Sequence, residues 1–108
     1  MIGRRFVLGL ALVLAAAGQG CAAEASVVTV KIENFTFNPA ELTVKPGTTI
    51  TFENADDIPH SVIDKAGAFH SKPLDTGDSF KMTVTDAGEI TYFCGFHPHM
   101  VGRIIVKQ

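Results

Sequence analysis

The sequence predicts an all-β domain, a sandwich or a small barrel. Three observations carry that expectation. Apolar residues alternate with polar ones in six short segments, clusters of turn-forming residues fall between them, and no segment after residue 26 shows a helical period of about 3.6 residues. Short strands at close spacing, each with one apolar face, find a stable home in two packed sheets or one closed sheet.

In chain order, residues 27–33 (VVTVKIE) put Val28, Val30 and Ile32 on one face. Residues 41–45 pair Leu42 with Val44, and residues 48–54 offer Ile50 and Phe52. Residues 79–85 give Phe80, Met82 and Val84, and residues 89–94 and 102–107 complete the set. Pro46-Gly47, Asn54 to Asp57, Asp75-Thr76-Gly77-Asp78 and Asp86-Ala87-Gly88 carry the residues that turns require. The stretch 64–78 is the least regular and reads as a long connection. There is no internal repeat, linker or low-complexity tract.

Residues 1–25 read as a secretory signal peptide, leaving residues 26–108 as the folded domain. Arg4 and Arg5 form a positive n-region, residues 6–17 an apolar run too short for a comfortable membrane span, and small residues follow. Ala23-Glu24-Ala25 offers cleavage after Ala25, with cleavage after Ala23 in competition. Cys21 in Gly-Gln-Gly-Cys offers a third, lipoprotein-type site, although Gly18 stands where leucine is usual. Arg4-Arg5 also fits twin-arginine export; the rest of that pattern is poor, and the general secretory route is expected. The expected location is the periplasm or otherwise outside the cytoplasm, with no membrane span and a lipid anchor at Cys21 as the alternative.

Composition narrows the function. The net charge is −2, and from Ser26 onward seven Lys and Arg face ten Asp and Glu. No basic footprint for nucleic acid exists in such a chain. Beyond the signal the only cysteine is Cys94, a thiol without an intramolecular partner in an oxidising compartment. A domain this small has a limited core, and a bound metal would add stability because folding brings its ligands together.

The four histidines are His60, His70, His97 and His99. Met82 shares a strand face with Phe80 and Val84 and reads as core; His70, in the irregular connection, reads as a surface residue. His60 follows Pro59 where a loop turns back into a strand, and its ordinary reading is a capping or surface histidine. The stretch Cys94-Gly95-Phe96-His97-Pro98-His99-Met100 is different: a thiolate, two imidazoles and a thioether crowd one loop between two strands. Thiolate and thioether are soft ligands that select copper, whereas zinc accepts cysteine and histidine but gains little from a thioether. The loop alone leaves open which histidine turns inward.

At these residues the sequence resembles the cupredoxins, the type 1 or blue copper proteins, and most closely their amicyanin and plastocyanin group. The resemblance covers nearly all of residues 26–108. FTFNPAELTVKPGTTITFENADDIPHSV is similar to the family's run into its first histidine ligand, and FKMTVTDAGEITYFCGFHPHMVGRIIV to its closing hairpin. The short C-x-x-H-P-x-M loop is like that of amicyanin; plastocyanin and pseudoazurin space the methionine further out.

The resemblance implies a Greek-key β-sandwich that holds one type 1 copper ion through His60, Cys94, His97 and Met100, with His99 unused. Local chemistry agrees: Gly95-Phe96 can turn residue 97 back, Pro98 fixes the neighbouring backbone, and residues 97 and 99 cannot easily both point inward if residue 100 does. The implied function is single-electron transfer by an exported monomer that is not an enzyme. His60 would anchor the metal from the interior, and His97 would face the transient redox partners. Ile58, Pro59, Phe96, Pro98 and Met100 would frame a small apolar docking patch. The alternative is a periplasmic copper carrier or storage protein without redox turnover. Ser61 and Gly95 depart from the family's usual Asn and Ser or Thr, which implies fewer hydrogen bonds between the two ligand loops.

Overall fold

The alternating segments become strands in the computed structural model, which describes residues 26–108. The expected signal peptide, Cys21 included, lies outside the described residues. The strands are β1 Val27–Glu33, β2 Thr36–Asn38, β3 Glu41–Val44, β4 Thr49–Asn54, β5 Ile63–Asp64, β6 Ser79–Thr83, β7 Gly88–Phe93 and β8 Val101–Val106. One sheet has the order β2-β1-β4-β6 and the other β3-β8-β7-β5. Each is mixed: β1 runs parallel to β4 and β3 parallel to β8, while the other pairs are antiparallel. After β4 the chain crosses from sheet to sheet at each successive strand up to β7, the path of a Greek-key sandwich. No helix among the described residues is long and apolar enough to cross a membrane.

The period-2 pattern does what it predicts. In β1, Val30 and Ile32 are buried while Thr29 and Lys31 are exposed; in β4, Ile50, Phe52 and Asn54 face inward. The inner faces meet at an aromatic junction, where the ring of Tyr92 lies 4.8 Å from Phe37 and 5.1 Å from Phe52 in edge-to-face geometry. Tyr92 fits because its cross-strand partner on β8 is Gly102: a Cβ there would lie 2.3 Å from the tyrosine ring. Met82 is half-buried against this core, and His70 is exposed, both as expected.

Two strands escape the sequence pattern. β2 has three residues and buries only Phe37, and β5 has two, so neither is long enough to display a period. The connection after β5 is irregular but tied down. Asp64 accepts the amides of Ala66 and Ala68, and Ser71 accepts that of Val62. The turn at Asp75–Asp78 closes as its residues predict, with the Asp78 amide donating to the Asp75 carbonyl and Gly77 at φ 88°.

Candidate metal centre

Two loops at one end of the sandwich bring the donors together. The first follows β4 and delivers His60. It is organised by Asn54, whose fully buried amide donates to the carbonyls of Ile58 and Leu74 and accepts the Asp56 amide. The His60 backbone is then pinned in both directions by Leu74, amide to carbonyl at 3.1 Å and carbonyl to amide at 2.7 Å.

The His60 imidazole is fully buried, and its Nε2 lies 2.7 Å from Asp56 Oδ2. Burial alone would raise the Asp56 carboxyl, but the amides of Phe35 and Asn34 and the His60 ring outweigh it and hold the group below its ordinary value. Asp56 is therefore a carboxylate at neutral pH and can only accept, so Nε2 carries the proton. In the neutral ring this leaves the Nδ1 lone pair free, and Nδ1 faces Cys94 Sγ at 3.5 Å.

The second loop, residues 94–100, joins β7 to β8. Its base is closed by the Cys94 amide donating to the Met100 carbonyl at 3.1 Å. Within it the His97 amide donates to the Cys94 carbonyl and the Met100 amide to the His97 carbonyl. Two successive four-residue turns, sharing His97, thus bring Cys94, His97 and Met100 to the inside while residues between them face out. Cys94 is fully buried, Met100 is buried, His97 is half-buried, and His99 is exposed. His97 Nδ1 lies 3.8 Å from Cys94 Sγ.

The donors of His60, Cys94 and His97 all lie within 4.8 Å of one another, and Met100 lies in the same cluster. These distances suit a shared ion. Metal bonds of about 2.0 Å to nitrogen and about 2.3 Å to sulfur, meeting at about 110–120°, place N and S about 3.5–3.7 Å apart. The set of one thiolate, two imidazoles and a thioether is soft enough to prefer copper.

Two details refine or correct the sequence reading. The resemblance implies fewer hydrogen bonds between the ligand loops, and two are present: Ser61 Oγ accepts the Gly95 amide at 2.9 Å, and the Ser61 amide donates to Cys94 Sγ at 3.4 Å. A serine hydroxyl reaches across because Gly95 has no side chain; a Cβ there would lie 2.9 Å from Ser61 Oγ and 2.7 Å from Ile63 Cδ1. Met100 does not frame the outer surface, since its backbone closes the loop base and its side chain is buried. Phe35, 54% exposed, stands at that surface instead, with its ring 5.0 Å from that of His97. Sequence reasoning missed both Phe35 and Asp56. Nothing local marks them as parts of the site, since Phe35 lies 62 positions before His97 in the chain and Asp56 reaches His60 and the amides of Asn34 and Phe35 only through its side chain.

The comparisons with known proteins agree with this geometry. The family model for the Cupredoxin-like domain matches residues 5–106. Amicyanin from Paracoccus versutus is 34% identical over 88 residues, covering 77% of this chain and 67% of its own length. Chloroplastic plastocyanin from Tetradesmus obliquus is 31% identical over 113 residues, covering 87% of this chain and 77% of its own. Among solved structures, the Cu(I) form of an amicyanin variant superposes with a TM-score of 0.72 at 29% identity, over 75% of this chain and 82% of that one. The chain belongs to the cupredoxin-like family.

Proposed function

We propose that this protein is an exported type 1 copper protein that passes single electrons between redox partners, with His60, Cys94, His97 and Met100 as the copper ligands. The observation that carries the reading is the donor cluster: two imidazole nitrogens at 3.5 and 3.8 Å from one buried thiol, on loops already fixed by hydrogen bonds. A copper ion held there supplies a one-electron couple between Cu(I) and Cu(II).

The chain supplies the rest. Asp56 and Leu74 hold His60 in one orientation, and Ser61 holds the Cys94 loop through two contacts. Ligands fixed this way need little rearrangement when charge changes, which favours fast electron exchange over delivery of the ion to another protein. Burial of Cys94, His60 and Met100 keeps water from the metal side. His97 is the half-buried ligand and the route to the surface, where Phe35, Phe96 and Pro98 offer a small apolar face for brief docking. The reading includes residues 1–25 as the export signal, residues 26–108 as the working domain, a monomer, and no enzymatic turnover.

The test is the absorption and electron paramagnetic resonance spectrum of the copper-loaded protein, with reversible voltammetry. Intense blue colour from thiolate-to-copper charge transfer, lost in Cys94→Ala, is expected. A colourless Cu(II) complex, or colour that survives the substitution, defeats the assignment. A blue protein without reversible electrochemistry would point to copper carriage.

A further inference from the structure

We propose that the Asn34–Phe35 turn is a cap built onto the metal centre, and that Phe35 is a positioning residue that holds His97 beside Cys94 and slows loss of the ion. The inference rests on the copper reading above.

Its first support is the backbone. Glu33 pairs with Thr36 across β1 and β2, so Asn34 and Phe35 form a two-residue hairpin turn. Both are left-handed, with φ of 55° and 58°. Such turns favour Asn followed by Gly; Asn34 obeys, and Phe35 occupies the glycine position. A bulky residue at positive φ is an outlier, and strain of this kind gathers at functional sites.

The second support is what holds the turn. The Asp56 carboxylate accepts the Asn34 amide at 2.7 Å and the Phe35 amide at 3.1 Å, and the oxygen bonded to Phe35 also accepts His60 Nε2. One carboxylate therefore fixes both the turn and a ligand ring. Thr36 Oγ1 closes the tip by donating to the Asn34 carbonyl.

The third support is where the ring goes. Phe35 is no part of the hydrophobic core and leaves half its surface in water. Its ring instead stands edge-to-face against both imidazoles, 5.0 Å and 84° from His97 and 5.8 Å and 87° from His60. Core packing does not account for a strained aromatic residue in that position; covering the histidines does. His60 and Cys94 are fully buried, so the ion leaves only after the half-buried His97 ring swings outward, and Phe35 stands in contact with that ring.

The test uses the full chain with Phe35→Gly and, as a second variant that also tolerates left-handed backbone, Phe35→Asn. Both remove the ring while relieving the turn, so two readouts separate. Transfer of Cu(I) from the loaded protein to excess bicinchoninate is expected to accelerate about two- to tenfold, the factor that one edge-to-face aromatic contact represents. The melting temperature of the metal-free protein is expected to hold or rise. In the metal-free protein, the His97 ring-proton resonances should lose the ring-current shift that Phe35 imposes. A wild type that takes up no copper brings down the copper reading itself. A blue wild type whose variants release copper at an unchanged rate overturns the cap. Faster release with a lowered melting temperature in both variants also overturns it, since Phe35 would then act as ordinary packing.

Discussion

Replacing Tyr92 by Phe is expected to stabilise the protein. The tyrosine is fully buried between Phe37 and Phe52, and its hydroxyl finds no hydrogen-bond partner among the described residues. An unpaired buried polar group costs about 1–3 kcal/mol, while the ring contacts survive the substitution. A gain of about 1 kcal/mol follows, or about 4–8 °C in melting temperature for a domain of this size. Burial also pushes the phenol well above its ordinary range. Above about pH 10 the unfolded chain loses this proton and the folded one keeps it, so the native state binds more protons and stability falls as pH rises. The slope from this group approaches about 1.4 kcal/mol per pH unit. The margin of the phenylalanine variant over the wild type therefore widens through the alkaline range and is constant below it.

The assay is urea unfolding of the metal-free protein at a series of pH values, for both proteins. Lysine and arginine titrations are common to the two and cancel in the difference. The chain has one tyrosine and no tryptophan, so phenolate absorbance reports Tyr92 without interference. A variant less stable than wild type, or a folded-state phenolate that forms near pH 10, would show that the hydroxyl has a partner or reaches water, and the reasoning fails.

Three further outcomes follow from the metal centre. His97→Ala should damage the blue spectrum while His99→Ala leaves it nearly intact, because only the former has its ring beside Cys94; the reverse result would exchange their roles. Met100→Leu should retain copper and raise the reduction potential in voltammetry, since a weak axial thioether favours Cu(II) slightly; complete loss of copper would mark Met100 as a stronger ligand than a type 1 site uses. Gly95→Ala should destabilise the fold by about 1–3 kcal/mol in denaturant titration and shift the charge-transfer band, because the new methyl meets Ser61 Oγ and Ile63 Cδ1; an unchanged spectrum and midpoint would mean the two loops yield freely.

What was legible in the sequence depended on range. β1 and β4 announce themselves because Val30, Ile32, Ile50 and Phe52 recur at every second position and point into one core, and β6 because Phe80 and Met82, at the same spacing, pack half-buried against it. The cluster of Cys94, His97 and Met100 is legible because a seven-residue loop holds all three donors in order. β2 and β5 are not, for a strand that buries one side chain has no period to read. Phe35 and Asp56 are invisible for a different reason. Each matters only through a contact the tertiary fold creates, the ring against His97 and the carboxylate against two amides and an imidazole.

The pair Ser61 and Gly95 shows how such contacts escape residue-by-residue comparison. Counted separately, each replaces a polar family residue with a smaller one and removes hydrogen-bonding capacity. In the fold they act as one unit: the missing side chain at Gly95 leaves room for Ser61 Oγ to reach the Gly95 amide, and the Ser61 amide is then aimed at Cys94 Sγ. A larger residue at either position would disturb the other, so neither loss can be judged alone. The same logic places Asp56, Asn34 and Phe35 in one unit. The turn is held in left-handed backbone by a carboxylate, and that carboxylate is held as an anion partly by the turn's own amides. Its charge then fixes the tautomer of His60 and leaves Nδ1 free toward Cys94. The donors are set by two loops, but their orientation is set from a third place in the chain, the β1–β2 turn, which contributes no metal-binding atom.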